Sequence, residues 1–366
     1  MNIFFDYQAF ALQQYGGISR YICELITGIN KSVNNKAHLS LFWSNNAHLQ
    51  EYNLPMNSYP FKTKFSKALH IPNKLYNFWD FKPGKYDIYH STYFDSFLSK
   101  KVGAIPMVTT FYDMIYERLS DQFIELSADK LIIPQKKKIA QSSTHLIAIS
   151  ESTKRDMIEL LGIAPEKITV IYLGSSFAID ESDTSKVTSI VDGPYLLYVG
   201  NRFGYKNFIP FLRSVAHILV KYKIKLVCAG GGSFTQEEKN LINDLSVNEL
   251  VQFRPINDII LKKLYKDATA FIFPSLYEGF GIPVLEAFSC RCPCIVSNNS
   301  SLPEVAGDGA LYIDPTDPDS IVNAVENILL NDSLRYELTH RGTHQLTHFS
   351  WQRTVNETLN LYNQLT

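Results

Sequence analysis

"YLLYVGNRFGYKNFIPFLRSVAHILVKYKIKLVCAGG", residues 195–231, decides the architecture. The run 195–199 is apolar without interruption, as in a strand buried on both faces of a parallel sheet. A glycine-bearing loop follows. The segment 208–222 then has helical spacing, and a second apolar run occupies 224–229. Strand, helix, strand in that order predicts a parallel crossover unit. Further along, "TQEEKNLINDL" (235–245) reads as a helix, and "LVQFRPI" (250–256), "ATAFIFPS" (268–275), "CPCIVS" (292–297) and "ALYID" (310–314) as strands. The second half is therefore a doubly wound α/β sheet.

The first half alternates in the same way. Strands are expected at "NIFF" (2–5), "LSLFW" (39–43), "YDIYHS" (86–91), "IPMVTTFYD" (105–113), "THLIAIS" (144–150) and "KITVIYLG" (167–174). "GISRYICELITGIN" (17–30) carries Ile18, Tyr21, Ile22, Leu25 and Ile29 on one helical side. Ser150 is placed to cap the helix at 151–161, and Gly162 to close it. Residues 178–194 are polar and mostly aperiodic and read as a linker. The expected organisation is a first Rossmann-like domain over 1–178 joined by the closing helix 350–366, a linker at 179–193, and a second Rossmann-like domain over 194–349. Two such domains are expected to face each other across a cleft, with ligand groups at the carboxyl ends of the strands.

Length and composition agree with this plan. A chain of 366 residues with 45% apolar and 19% charged side chains has room for two cores. A formal net charge of -1 leaves no case for a nucleic-acid partner. Residues 61–140 hold thirteen Lys and Arg against eight Asp and Glu, interleaved with Phe65, Leu69, Ile71, Leu75, Tyr76, Phe78 and Trp79. Such a stretch is either a solvated face over core residues or a peripheral contact for an anionic membrane. No run is long enough to span a bilayer, and no basic segment precedes an apolar one at the N-terminus. With five cysteines, an odd number, the expectation is a reducing cytoplasmic location, or the inner face of a membrane.

The chemistry-bearing residues collect after strands. In "PSLYEGFGIPVLEAF" (274–288), Glu278 and Glu286 bracket Gly279, Phe280, Gly281 and a helix start. Glycines admit a close backbone approach, and a helix N-terminus offers N–H groups to an anion, so a diphosphate fits. Glu278 can accept from sugar hydroxyls, and Glu286 can grip a ribose diol. In "YVGNRFGYKNF" (198–208), Arg202 and Lys206 offer two cations to a diphosphate leaving group. Gly16 and Gly17 follow the first strand and open a helix, without the spacing of a dinucleotide fingerprint. His90 and Asp113, with Tyr112, stand at strand ends as candidates for acceptor binding and proton handling. Asp317 and Asp319 read as turn and cap chemistry. Cys290, Cys292 and Cys294 alternate, and a strand would turn Cys292 away from the other two, so no metal site is expected.

Taken together, "AISESTKRDMIELLGIAPEKITVIYLG", "LYVGNRFGYKN", "FIFPSLYEGFGIPVLEAF" and "IVSNNSSLPEVAGDGALYIDPTDPDSI" resemble the retaining glycosyltransferases of family 4, which have the GT-B fold. The resemblance covers nearly the whole chain. It implies that Arg202 and Lys206 hold the donor diphosphate, that Glu278 contacts the transferred sugar, and that Glu286 contacts the ribose. The backbone of Gly279, Phe280 and Gly281 would support sugar and phosphates. Gly16 and Gly17 would face the donor, and Arg254 and Pro255 would lie near its base. It also implies no cofactor beyond the nucleotide-sugar co-substrate, no metal, and a glycan or lipid-linked glycan acceptor in surface polysaccharide assembly. "SNNSSLPEVAGDGALYIDP" looks most like O-antigen mannosyl- and rhamnosyl-type enzymes, which favours a GDP-linked donor over UDP- or dTDP-linked ones. Two departures stand out. Tyr112 occupies a place where many members carry His, and Arg291 replaces a turn glycine. A nucleotide-sugar epimerase on the same plan, or a non-catalytic sugar-nucleotide-binding subunit, are the alternative functions.

Overall fold

The computed structural model describes residues 1–12, 14–57, 66–175, 177 and 189–366. The chain divides into two compact units, one of Met1–Gly174 with Trp351–Thr366 and one of Ser175–Ser350. The expected linker lies outside the described residues up to position 188.

The first unit is built on six parallel strands: β1 (Asn2–Phe5), β2 (Lys36–Leu39), β3 (Ile88–Ser91), β4 (Met107–Phe111), β5 (His145–Ala148) and β6 (Ile168–Val170), in the order β2-β1-β3-β4-β5-β6. The second unit repeats the plan with β7 (Tyr195–Val199), β8 (Lys225–Ala229), β9 (Val251–Arg254), β10 (Ala270–Phe273), β11 (Cys294–Ser297) and β12 (Ala310–Ile313), ordered β12-β11-β10-β7-β8-β9. Leu196, Leu226, Ile272 and Ile295 from its strands pack with Phe211 and Val215 of the helix Phe208–Tyr222, all fully buried. In each sheet the strand order reverses once, between β1 and β3 and between β7 and β10. At such a reversal the connections leave in opposite directions, which opens a crevice at the carboxyl ends of the two strands.

One strand differs from expectation. The apolar run 39–43 leaves the sheet at Leu39. The N–H groups of Phe42 and Trp43 donate instead to Asn73 Oδ1, at 2.8 and 3.1 Å. A side-chain amide thus replaces a sheet neighbour at this edge. The helix Glu151–Leu161 is capped as read, with Ser150 Oγ accepting from Thr153 N at 3.0 Å and Gly162 in the left-handed region at φ 65.

The closing helix Trp351–Leu365 belongs to the first unit and packs on the helix Gly17–Lys31. Contact is close because Gly28 has no side chain: a Cβ there would stand 2.5 Å from Val355 Cγ2. Gly28→Ala is therefore expected to destabilise the protein by about 1–3 kcal/mol despite alanine's better helix propensity. Adding Val355→Ala should recover part of that loss, and urea unfolding of both variants measures the coupling.

Candidate functional site

In the second unit the reversal point is lined by the two loops that the sequence singles out. Gly200, at φ 106, ends β7, and a short turn Gly204–Lys206 leads to Asn207, also left-handed at φ 60. Asn207 Nδ2 donates to Pro315 O at 2.7 Å and anchors the loop. The buried Tyr198 hydroxyl lies 3.0 Å from the carbonyl of Asn201 and 3.1 Å from that of Lys206. After β10, Leu276 N donates to Tyr205 O at 2.8 Å, so the two loops are clipped together across the switch point.

This clip brings Lys206 and Glu278 into contact. Lys206 Nζ donates to Glu278 Oε1 at 2.6 Å, with the side chains 19% and 11% exposed. The ammonium also lies over the Phe273 ring at 5.5 Å and the Tyr205 ring at 5.1 Å. Glu278 is fixed through its backbone: its N–H donates to Ser300 Oγ at 2.9 Å, and Ser301 Oγ lies 2.9 Å from the carbonyls of Glu278 and Phe280. Gly281 turns the chain into the helix Ile282–Ser289 at φ 106, a left-handed conformation. A Cβ at Gly281 would stand 2.8 Å from Leu302 Cδ2. No side chain caps this helix, and Pro283 sits in its first turn. Glu286 lies one turn in, nearly buried, and accepts from the buried Tyr265 hydroxyl at 3.3 Å. At the same ends of β10 and β11, Ser275 Oγ and Asn299 Oδ1 are buried with no hydrogen-bond partner among the described residues. Arg254 ends β9, donates from Nη2 to Gln252 Oε1 at 3.1 Å, and leaves its buried Nε without a partner. Pro255 beside it is exposed.

Arg202 is engaged on the other side of its loop from Glu278. Its side chain is only 2% exposed and turns away from Lys206. Nε donates to Glu238 Oε1 at 2.7 Å, while Nη1 and Nη2 reach the carbonyls of Gly230, Gly232 and Ser233 at 3.2, 2.9 and 3.2 Å. The guanidinium is sandwiched near the rings of Phe208 and Phe234. It organises the Gly230–Gly232 turn, whose residues are all at positive φ. The partner Glu238 was legible only as the fourth residue of a capping box with Thr235.

In the first unit, Gly17 opens its helix with Gly16 before it, and no side chain caps that end. His90 is engaged within the unit. It is fully buried, with Nδ1 2.5 Å from the Tyr362 hydroxyl and Nε2 3.0 Å from Thr110 Oγ1. It ties the closing helix to the sheet and has no nitrogen left for an acceptor. At the reversal between β1 and β3 the polar centre is Asp6, which the sequence reading passed over. Its carboxylate accepts from Thr92 Oγ1 at 2.5 Å, Tyr89 OH at 2.7 Å and Gln8 Nε2 at 2.7 Å, and burial raises its pKa. Tyr112 is buried, its hydroxyl donating to Thr92 O at 2.9 Å. Asp113 remains partly exposed at 27% and is held by the buried Lys136, whose Nζ also reaches Glu117 Oε2 at 3.1 Å. Burial raises the Glu117 pKa.

The remaining expectations fall on structural features. Asp317 caps the helix Pro318–Leu330 by accepting from Asp319 N at 3.0 Å. Arg291 adopts the left-handed conformation of the glycine it replaces, at φ 56. Burial raises the thiol pKa values of Cys290, Cys292 and Cys294. Among the described residues, no group of three His, Cys, Asp or Glu side chains is placed to hold a metal ion.

Comparison with known proteins gives this geometry its class. Residues 15–176 match the model described as Glycosyltransferase Family 4, and residues 180–345 the model described as Glycosyl transferases group 1. The chain is 30% identical over 296 residues to an uncharacterized glycosyltransferase of Methanocaldococcus jannaschii, covering 76% of this chain and 75% of that one. It is 29% identical over 234 residues to O-antigen chain mannosyltransferase B of Escherichia coli, covering 61% of each, so it spans less than two thirds of that relative's length. The fold matches sucrose-phosphate synthase of Thermosynechococcus elongatus with a TM-score of 0.78 at 18% identity, over 100% of this chain and 98% of that one. Two six-stranded parallel α/β units of this kind make the GT-B fold. The chain belongs to glycosyltransferase family 4.

Two outcomes follow from these contacts. Removing one partner of a buried ion pair strands the other, so Arg202→Met is expected to cost about 3–5 kcal/mol in urea unfolding. Burial pushes the His90 pKa down from 6.5 to about 3. The unfolded chain therefore takes up the proton first as pH falls. The stability due to neutral His90 is complete above pH 6.5 and is lost between 6.5 and about 3, at about 1.4 kcal/mol per pH unit. Unfolding at pH 7.5 and 5.5 should show wild type losing about 1 kcal/mol more than His90→Asn over that interval.

Proposed function

We propose that the chain is a retaining hexosyltransferase. It moves mannose or a similar hexose from a GDP-linked donor to a glycan or lipid-linked glycan in surface polysaccharide assembly. The observation that carries this reading is the Lys206–Glu278 pair, 2.6 Å apart at the switch point and next to the uncapped helix start at Gly281. One cation and one row of N–H groups suit a diphosphate, and one adjacent carboxylate suits the hydroxyls of the sugar attached to it. Family membership and the mannosyltransferase relative support the class of donor.

In the transfer, the bond between the anomeric carbon and the diphosphate oxygen breaks, and the acceptor oxygen bonds to that carbon on the same face. Negative charge develops on the departing diphosphate, and Lys206 with the helix N-terminus offsets it, so the step uses no metal ion. The acceptor's proton passes to the leaving phosphate oxygen. The engagement of both His90 nitrogens supports that route over a histidine base. Glu286, held by Tyr265, binds the ribose, and Arg254 lies toward the base.

Lys206→Ala is expected to lower transfer by about 10²- to 10³-fold, the scale of losing one preorganised electrostatic group, while the folded state persists. The assay is product formation from GDP-mannose, after a thermal-shift screen of GDP, UDP, dTDP and ADP sugars. A donor at 100 times its Kd adds about 2.7 kcal/mol of stability. Wild-type turnover in Lys206→Ala, or no stabilisation by any nucleotide sugar, overturns the assignment.

A further inference from the structure

The helix Ser66–Asp80 carries its polarity inside out. Asn73 and Asn77 are fully buried, whereas Ile71 is 69% exposed, Leu75 58%, Phe78 47% and Trp79 70%. Positions 71, 75, 78 and 79 follow helical spacing and form one stripe. The inward asparagines explain the orientation. Asn73 accepts from the N–H groups of Phe42 and Trp43 and donates to Trp43 O at 2.9 Å, and Asn77 Nδ2 donates to Ser40 O at 2.9 Å. Rotating the helix to bury its apolar stripe would orphan those edge-strand groups, each at its desolvation cost. The apolar face is therefore held outward by hydrogen bonding, and a held apolar patch of this kind marks a docking surface.

The charges around the stripe say what docks. From residue 66 to 101 there are six Lys and three acidic residues. Each acid has a partner within the unit: Asp80 contacts His38 Nε2 at 2.7 Å, Asp87 accepts from Asn2 N at 2.7 Å, and Asp95 accepts from Lys74 at 2.6 Å. Lys82, Lys85 and Lys100 are exposed, and the Lys101 ammonium lies 4.1 Å from the Phe78 ring centroid. Six Lys against three acids leave a net excess of three positive charges in this stretch, and of the three acids Asp95 alone pairs with a lysine. A second copy of the chain would set lysines against lysines across a two-fold axis. An anionic lipid surface meets both features at once, with acyl chains for the stripe and headgroup phosphates for the lysines.

We propose that this face docks peripherally on an anionic bilayer. The helix lies in the interfacial plane, Trp79 and Phe78 enter the headgroup boundary, and Lys82, Lys85 and Lys100 contact phosphates. This holds whichever sugar the chain transfers. No helix among the described residues is long and apolar enough to cross a membrane, so the contact is lateral.

The test is co-sedimentation of the full chain with phosphatidylglycerol-containing vesicles and with pure phosphatidylcholine vesicles. Binding is expected only to the former, weakening as salt is raised. Leu75→Glu with Trp79→Glu should reduce it about tenfold or more. Both side chains are exposed, so the thermal unfolding midpoint should not move. Lipid-borne bromine should quench tryptophan fluorescence in wild type and much less in Trp79→Phe, which retains binding. Binding that ignores lipid charge, or that survives the double variant, overturns the proposal. So does a concentration-dependent dimer in light scattering that the double variant abolishes.

Discussion

The reversal of strand order between β7 and β10 is the constraint on which the site depends. All six strands of the second unit run parallel, so every loop that follows a strand emerges at the same end. At the reversal the connections diverge, and the backbone groups of two loops must find partners in each other or in a ligand. The Leu276 N to Tyr205 O bond is one such partner, and it sets the distance between Lys206 and Glu278. The ion pair is thus a consequence of topology.

Electrostatics around that point divides the cations by how completely they are consumed. Arg202 spends its donors on Glu238 and three carbonyls, and its planar fork suits that use. Lys206, a compact charge on a flexible stem, has a single carboxylate partner and partial exposure. A single partner that can itself bind sugar hydroxyls leaves the ammonium available to a phosphate. Two cations four residues apart therefore have separate partners, one at the turn after β8 and the other at the loop after β10.

The first unit places a hydrogen-bonded polar network at its own reversal. Asp6, Thr92, Tyr89 and Gln8 satisfy one another at the ends of β1 and β3. His90 joins β3 to the closing helix through Tyr362. Burial drives both ionisable groups toward their neutral forms, which suits structural members that hold loops in place.

The sequence by itself determined the architecture class, because continuous apolar runs alternating with amphipathic segments call for a parallel sheet covered by helices. It also placed the loop glycines, the Ser150 cap and the Glu278–Glu286 segment, since these depend on local backbone needs and helix starts. It did not show where a long side chain turns. Arg202 and Lys206 look equivalent in a loop, and only the tertiary structure puts Glu238 beside one and Glu278 beside the other. His90 reads as a strand-end histidine until the closing helix, 272 residues away, covers it. The run 39–43 reads as a strand until Asn73 takes its N–H groups. Each of these turns on a partner distant in sequence. A hydrogen bond or ion pair is set by the position of both groups, and the second position is fixed only when the chain has folded.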